Sequence, residues 1–243
     1  MSYFQKIGKV IHFKNEKKYF QNGCNKYYEK DYEGAISDFS KAIRINPVFA
    51  EAYAFRGHSK LKSGLYRETI KDYNKALELN PDFNGAHAFI GDSRLKSGEY
   101  KDAISEYTIA IRINPNDAVS CHNRAFARDK IKDYTGAIKD YTRAIELNPK
   151  NPEAYFNRGD SRMNIGDRRG AIDDYTASIN LNPNHVNAYF KRGHAKRMIE
   201  DYSGAMSDYT VYVQSNPEMK NSTVTKLMKT LFYKELWDAR CLG

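Results

Sequence analysis

Apolar residues recur with helical spacing along most of this chain of 243 residues. In residues 34–47 they mostly fall three or four positions apart, which predicts an amphipathic helix. The members of this stripe are Ala35, Phe39, Ala42, Ile43 and Ile45. Residues 153–165 show the same spacing, and a Gly166-Asp167 turn follows them. The pattern therefore predicts pairs of helices joined by short turns.

An Asn-Pro pair recurs six times, always at an interval of 34 residues. The prolines are Pro47, Pro81, Pro115, Pro149, Pro183 and Pro217. Proline disfavours helical geometry in the preceding residue, so each pair is predicted to end a helix. A fixed period of this length is typical of stacked helical hairpins. The predicted units span residues 16–49, 50–83, 84–117, 118–151, 152–185 and 186–219.

A small residue occupies one position in the first helix of every unit. The residues are Gly23, Gly57, Gly91, Ala125, Gly159 and Gly193. Glycine inside a helix costs about 1 kcal/mol relative to alanine, so a close approach by a second helix would explain its presence. In the second helix a small residue precedes an aromatic one by four positions, as in Ala171 and Tyr175. One hairpin cannot bury these faces alone, so neighbouring hairpins are expected to stack.

These features resemble the tetratricopeptide repeat (TPR) family over residues 16–217. The resemblance rests on the 34-residue period, the small residue, the Ala-x3-Phe/Tyr-x2-Ala core and the closing proline. Residues 154–159 look like a variant common in bacterial and plastid proteins. The resemblance implies an all-α fold, a right-handed α-solenoid superhelix of six hairpins. Its first helices would line a concave groove that binds an extended peptide or a helix of a partner.

The sequence departs from the family pattern in two places. Where the family usually has a large apolar residue, every unit here has a basic one: Lys26, Lys60, Arg94, Arg128, Arg162 and Lys196. The sixth unit replaces core residues by Tyr212 and Ser215, which indicates that the array ends there. An apolar stripe from Val224 to Phe232, followed by Leu236 and Trp237, then predicts a C-terminal capping helix over residues 220–238. A helix that docks on a partner is the alternative.

A set of charges also follows the period. An arginine stands beside the packing glycine, and an acidic residue recurs in the second helix. A buried arginine needs a partner, and either Asp72 in the same unit or Asp38 in the preceding unit would suit Arg56. We interpret the set as a structural ion-pair ladder, and a row of anion sites for acidic or phosphorylated peptides is the alternative. Its members are Arg56, Asp72, Arg124, Asp140, Arg158, Asp174, Arg192 and Asp208.

The resemblance places candidate partner-binding residues along the groove. They are Phe20, Phe55, His58, Phe89, Asp92, His122, Asn123, Phe126, Phe156, Asn157, Asp160, Phe190, Lys191 and His194. Aromatic residues would anchor a partner, although they could instead pack along their own helices. Some relatives grip the terminal carboxylate of a chaperone tail with lysine, asparagine and arginine. Only Asn157 and Lys191 match that clamp, and His122 and Phe126 replace its first members, so a chaperone tail is not the expected partner.

The formal net charge of +9 is concentrated at the start of the chain, because residues 1–30 carry seven lysines and two glutamates. An RNA-associated adaptor that uses this basic N-terminal segment, residues 1–15 and beyond, is therefore an alternative function. The lysines are Lys6, Lys9, Lys14, Lys17, Lys18, Lys26 and Lys30. A self-associating scaffold is a further alternative, because residues 3–11 contain an apolar pattern of helical spacing that could dock into a groove.

The sequence carries no enzyme motif: it lacks a phosphate-binding Gly-rich loop, a His-Glu-x2-His motif and a Gly-x-Ser-x-Gly motif. His58, His122 and His194 lie in alternate units and are not expected to converge on a metal ion. Three widely spaced cysteines and the lack of a signal peptide or apolar span favour a reducing, cytoplasmic location. We therefore expect a non-enzymatic protein-interaction module or assembly scaffold without a metal or cofactor.

Overall fold

A computed structural model gives the structure of the chain. It describes residues 3–83, 85–216 and 224–231, with side chains from residue 15 onward within those ranges. The side chains of Lys6, Lys9 and Lys14 and of the apolar pattern in residues 3–11 lie outside the described part. Residues 220–223 and 232–238 of the predicted capping helix also lie outside it.

The described residues form consecutive helices and contain no β-strand. The helices are α1 (Tyr3–Tyr28), α2 (Tyr32–Ile45), α3 (Ala50–Lys62), α4 (Tyr66–Leu79), α5 (Ala86–Lys96), α6 (Tyr100–Ile113), α7 (Ala118–Lys130), α8 (Tyr134–Leu147), α9 (Pro152–Asn164), α10 (Arg168–Leu181), α11 (Val186–Met198) and α12 (Tyr202–Ser215). Residues 224–231 are also helical. The predicted all-α fold of successive two-helix hairpins is therefore confirmed. None of the described helices combines the length and the apolar character needed to span a bilayer.

The contacts divide the chain into two compact units, residues 1–123 and 124–243. In the first unit, α1 pairs with α2, α3 with α4 and α5 with α6, and neighbouring hairpins meet through α2 against α3 and α4 against α5. In the second unit, α9 pairs with α10 and α11 with α12, while α8 packs on α9 and α10 on α11. Leu231 is buried against Ala205 and Tyr209 of α12.

Helix ends follow local rules that repeat with the period. The Asn of each Asn-Pro pair leaves helical geometry, and the Asn46 N–H closes the preceding helix by donating to the Ala42 carbonyl at 2.9 Å. At the other end, Asp167 caps α10 by accepting from the Gly170 N–H at 3.0 Å. The same aspartate cap precedes α2, α8 and α12. Each cap satisfies a backbone donor that the first helical turn leaves open.

The core repeats a contact between a small residue and a tyrosine. Tyr175 is fully buried, and a Cβ atom added at Gly159 would lie 2.8 Å from its Cε1 atom. This distance is shorter than any ordinary carbon–carbon contact, so the glycine lets α9 and α10 approach. The equivalent rings of the other hairpins, Phe39, Tyr73, Tyr107, Tyr141 and Tyr209, are buried in the same way.

Helix α1 continues without interruption from Tyr3 to Tyr28. The first hairpin therefore has a longer first helix than the others, whose first helices span 11 to 13 residues. Most of the predicted N-terminal segment, residues 1–15, is an extension of this helix.

Candidate functional site

The arginines beside the packing glycines pair with the aspartates of their own hairpins. Arg158 donates from Nε to Asp174 Oδ2 at 3.0 Å and from Nη2 to Oδ1 at 2.7 Å. The same two-pronged contact joins Arg56 to Asp72, Arg124 to Asp140 and Arg192 to Asp208. The pairing that the spacing left open is therefore within the hairpin.

The same guanidinium groups also reach the preceding hairpin. Arg158 Nη1 donates to Thr142 Oγ1 at 3.0 Å, and Arg192 Nη1 donates to Thr176 Oγ1 at 3.1 Å. In the first unit Arg56 Nη1 donates to Ser40 Oγ at 3.1 Å. These donors are engaged by the protein itself, so the geometry favours a structural ladder over a row of anion sites.

A second cation binds each of the same carboxylates, which the sequence reasoning missed. Arg162 Nη1 lies 2.9 Å from Asp174 Oδ2, the oxygen that also accepts from Arg158 Nε. The equivalent pairs are Lys60–Asp72, Arg128–Asp140 and Lys196–Asp208. In the first hairpin, which has Asn22 in place of the arginine, Lys26 pairs with Asp38. These basic residues occupy the position where the family usually has a large apolar residue. Their recurrence together with an acidic residue in every unit was the signal that could have identified the pairs.

The third hairpin varies this arrangement. Ile90 takes the place of the arginine and is buried. Its acidic residue, Glu106, instead has His87 Nδ1 at 2.8 Å from its Oε2 atom and Arg94 Nε at 3.9 Å from Oε1. The carboxylate thus keeps two basic neighbours although the arginine is absent.

An aromatic cavity of about 300 Å³ opens on the face of the first unit formed by α1, α3 and α5, which we call the first-helix face. Its rings contact one another: the His58 and Phe89 centroids are 4.6 Å apart edge to face, and Phe89 stacks on Tyr73 at 5.2 Å. Burial lowers the pKa of His58, so its imidazole is neutral at neutral pH. The cavity is lined by Tyr27, Ala54, Phe55, His58, Tyr73, Phe83 and Phe89.

A polar cavity of about 370 Å³ lies further along α3 and α5. Asp92 Oδ1 accepts from Tyr107 Oη at 2.6 Å and from Asn123 Nδ2 at 3.0 Å. Burial raises the pKa of the Asp92 carboxyl above its ordinary value despite these two donors. The cavity is lined by Leu61, Lys62, Tyr66, Asp92, Leu95, Lys96 and Asn123.

The first helices of the second unit line a different, more polar cavity of about 340 Å³. Asp160 accepts from Tyr175 Oη at 2.6 Å and pairs with Lys191 Nζ at 3.1 Å. His194 also lines it, and burial lowers the pKa of this imidazole. Asp160 and Lys191 therefore neutralise each other at this site.

The predicted groove aromatics are half-buried. Phe156 lies 4.6 Å from the His185 ring, and Phe190 lies 4.9 Å from the Tyr212 ring. These contacts favour the alternative interpretation, in which both rings pack within their own array. Phe20 packs on Phe55, Phe126 lies against Lys130, and His122 and Asn157 are half-buried.

The predicted histidines do not assemble a metal site. His58 and His194 line separate cavities in separate units. Within residues 15–83, 85–216 and 224–231, no group of three or more His, Cys, Asp or Glu side chains could hold a metal ion.

Known proteins support the fold. Tetratricopeptide repeat models match residues 50–83 and 152–185, and a TPR repeat model matches residues 130–166. No curated protein sequence matches this chain.

Solved structures with the same fold share little sequence. YrrB, "a TPR protein with an unusual peptide-binding site", has a TM-score of 0.68 at 22% identity, covering 79% of this chain and 97% of that one. Pseudomonas aeruginosa pilF has a TM-score of 0.68 at 17% identity, covering 92% and 99%. MamA has a TM-score of 0.65 at 22% identity, covering 69% and 91%. The matched models identify tetratricopeptide repeats in residues 50–83 and 130–185 of this chain, and its repeated hairpins have the corresponding fold.

Proposed function

We propose that this chain is a protein-interaction module that binds a peptide segment of a partner on the first-helix face of its first unit. The supporting observation is the aromatic cavity of about 300 Å³ lined by Tyr27, His58 and Phe89. A concave, largely apolar site with a few polar groups is the usual form of a ligand-binding pocket. In this role the protein acts as a scaffold without a chemical step.

The cavity suits an apolar anchor residue because its walls are already in place. Phe89 is held between the His58 and Tyr73 rings, so the rings lose little conformational freedom when a ligand enters. Fully desolvated anchors in such pockets supply most of the energy in many protein interfaces. YrrB is described as having a peptide-binding site, and its similarity to this chain extends to the fold.

Nucleic-acid binding is less well supported by the described residues. Binding to a phosphate backbone needs cations that can neutralise phosphates, whereas the arginines of the ladder are engaged by carboxylates of their own hairpins. The RNA-associated and self-associating alternatives therefore depend on the N-terminal segment and stay predictions. RNA affinity or light scattering of the full chain against one that lacks residues 1–15 tests them.

Selection of random peptides on the purified full-length chain tests the proposed function. We expect enrichment of peptides with a large apolar residue, and we expect Tyr27→Ala and His58→Ala to weaken their binding. Tyr28→Ala is the matched control, because Tyr28 is the adjacent tyrosine, is 75% exposed and does not line the cavity. Thermal unfolding of each variant separates lost binding from lost structure.

The proposal fails if no peptide is enriched above a selection without protein. It also fails if the enriched peptides bind folded Tyr27→Ala and His58→Ala as tightly as the unchanged chain.

A further inference from the structure

Two cavities of different chemistry adjoin on the first-helix face of the first unit. Phe89 belongs to the aromatic cavity and Lys96 to the polar one, and both lie on α5. On α3, His58 lines the aromatic cavity and Lys62 lines the polar one. Four residues of helix span about 6 Å and seven span about 10 Å. Since an extended chain covers about 3.3 Å per residue, a peptide anchored in one cavity reaches the other within two or three residues.

Lys62 and Lys96 differ from the other cations on this face. Both are exposed, and neither forms an ion pair with a residue in the described part of the chain. The paired cations of the same helices are Lys26, Arg56, Lys60 and Arg94. The polar cavity thus presents two ammonium groups that the protein does not neutralise by direct contact.

Asp92 is the acidic residue in the lining of this cavity. Its Oδ1 atom already accepts hydrogen bonds from Tyr107 and Asn123, which fix the carboxylate against the wall. Among the residues that line the cavity, two lysines against one aspartate leave an excess of one positive charge. The cavity is therefore complementary to an additional carboxylate.

We propose that the first unit recognises an extended partner segment that combines a large apolar residue with an acidic one two or three positions away. The apolar side chain fills the aromatic cavity, and the acidic side chain lies between Lys62 and Lys96. This inference rests on the proposed function and adds a charge requirement to it.

An acidic side chain suits this cavity better than a chain terminus. A terminal carboxylate held as in the chaperone-tail clamp would need an asparagine amide beside the lysine ammonium groups, which are flexible point charges. The nearby Asn123 amide already donates to Asp92. Lysine side chains can follow a carboxylate that is carried on a side chain of its own.

Peptide selection on charge variants tests the acidic requirement. Random peptides are displayed as N-terminal fusions, which have no free C-terminus, and are selected on the full chain and on Lys62→Gln/Lys96→Gln. The unchanged chain should enrich an Asp or Glu two or three positions from a large apolar residue. The double variant should keep the apolar residue and lose the acidic one. Lys71→Gln/Lys101→Gln is the matched control, because it removes two exposed lysines that lie on α4 and α6.

Affinity measurements on one enriched peptide, synthesised with a C-terminal amide, assign the contact. Replacing its acidic residue by the corresponding amide should weaken binding about fivefold, as for a partly exposed ion pair. The same replacement should have no effect on Lys62→Gln/Lys96→Gln, since the partner charges are already gone. Raising the salt concentration should weaken the binding of the acidic peptide more than the binding of its amide version.

The outcomes separate this inference from the proposed function. Apolar peptides without an acidic preference, or an acidic preference that survives in Lys62→Gln/Lys96→Gln, overturn the inference and leave the proposed function standing. Tighter binding by a peptide that ends in a free carboxylate at the acidic position assigns the site to a chain terminus and also overturns it. Failure to enrich any peptide overturns both.

Discussion

Arg158 holds Asp174 through two hydrogen bonds and at the same time bonds Thr142 of the preceding hairpin. The side chain of Asp174 is 3% exposed and that of Arg158 is 13% exposed. Removal of one partner from a buried ion pair leaves the other charge without compensation. We therefore expect the ladder to contribute to stacking in the second unit.

We expect Arg158→Ala to lower the free energy of unfolding by about 3 kcal/mol. The buried Asp174 carboxylate then loses the two hydrogen bonds from Arg158 and keeps one cation, Arg162. Urea unfolding monitored by circular dichroism measures the change. Arg143→Ala is the control, since Arg143 pairs with Glu146 on the surface, where such pairs contribute about 1 kcal/mol or less. Equal losses for the two variants would contradict the structural importance of the ladder.

Gly159→Leu should destabilise the second unit by about 3 kcal/mol or more. Even a Cβ atom at this position meets the Tyr175 ring at 2.8 Å, so a larger side chain forces α9 away from α10. Thermal unfolding measures the effect. The double variant Gly159→Ala/Tyr175→Leu should lose less stability than the sum of the two single changes, because Tyr175→Leu removes the ring that clashes with the alanine. Strict additivity would show that the ring is not what excludes a side chain there.

Phe156→Ala should lower the free energy of unfolding by about 3 kcal/mol, as expected for the loss of a packed aromatic ring. Its ring contacts both His185 and Tyr175. Phe156→Leu keeps part of the apolar contact and should cost less. If Phe156→Ala unfolds at the same temperature as the unchanged chain but binds selected peptides less well, the ring belongs to a partner site in the second unit.

The stability of the first unit should depend on pH through Asp92. Burial raises the folded-state pKa of this carboxyl above that of the unfolded chain, so its protonated form favours folding. That contribution is present at low pH and is lost as the pH rises through the raised value. Asp92→Asn keeps an oxygen acceptor for Tyr107 and Asn123 without the charge. The variant should therefore gain stability relative to the unchanged chain at pH 7, and gain less at pH 4.

Urea unfolding at the two pH values measures this difference. Asp82→Asn removes one exposed carboxylate from a loop of the same unit and serves as the control. An equal gain in the free energy of unfolding of Asp92→Asn at both pH values would contradict the conclusion that burial raises the pKa of Asp92.

The repeat pattern predicted the hairpins because Asn-Pro and the small residues act locally. Pro47 ends α2 through its effect on the preceding residue. Gly159 lies against the ring of Tyr175, sixteen residues away in the same hairpin. Both features lie within a single unit, so the spacing of residues in the sequence is sufficient to predict them.

The partner of each arginine was not predictable in the same way. Arg56 stands sixteen residues before Asp72 and eighteen after Asp38, and either separation spans one helix and one turn. The choice depends on how far each second helix is rotated about its axis, which spacing does not encode. For the same reason the sequence did not show that Phe156 packs on His185, a contact that crosses from α9 to the turn before α11.

The reach of the ladder arginines has a consequence for how such a chain can change length. Arg158 and Arg192 each contact their own hairpin and the one immediately before, through Thr142 and Thr176. Two neighbouring repeats are thus joined by a hydroxyl group of one repeat and a guanidinium group of the next. A duplicate of residues 152–185 carries both Arg158 and Thr176, so its insertion would form the same guanidinium–hydroxyl contact at the new junction.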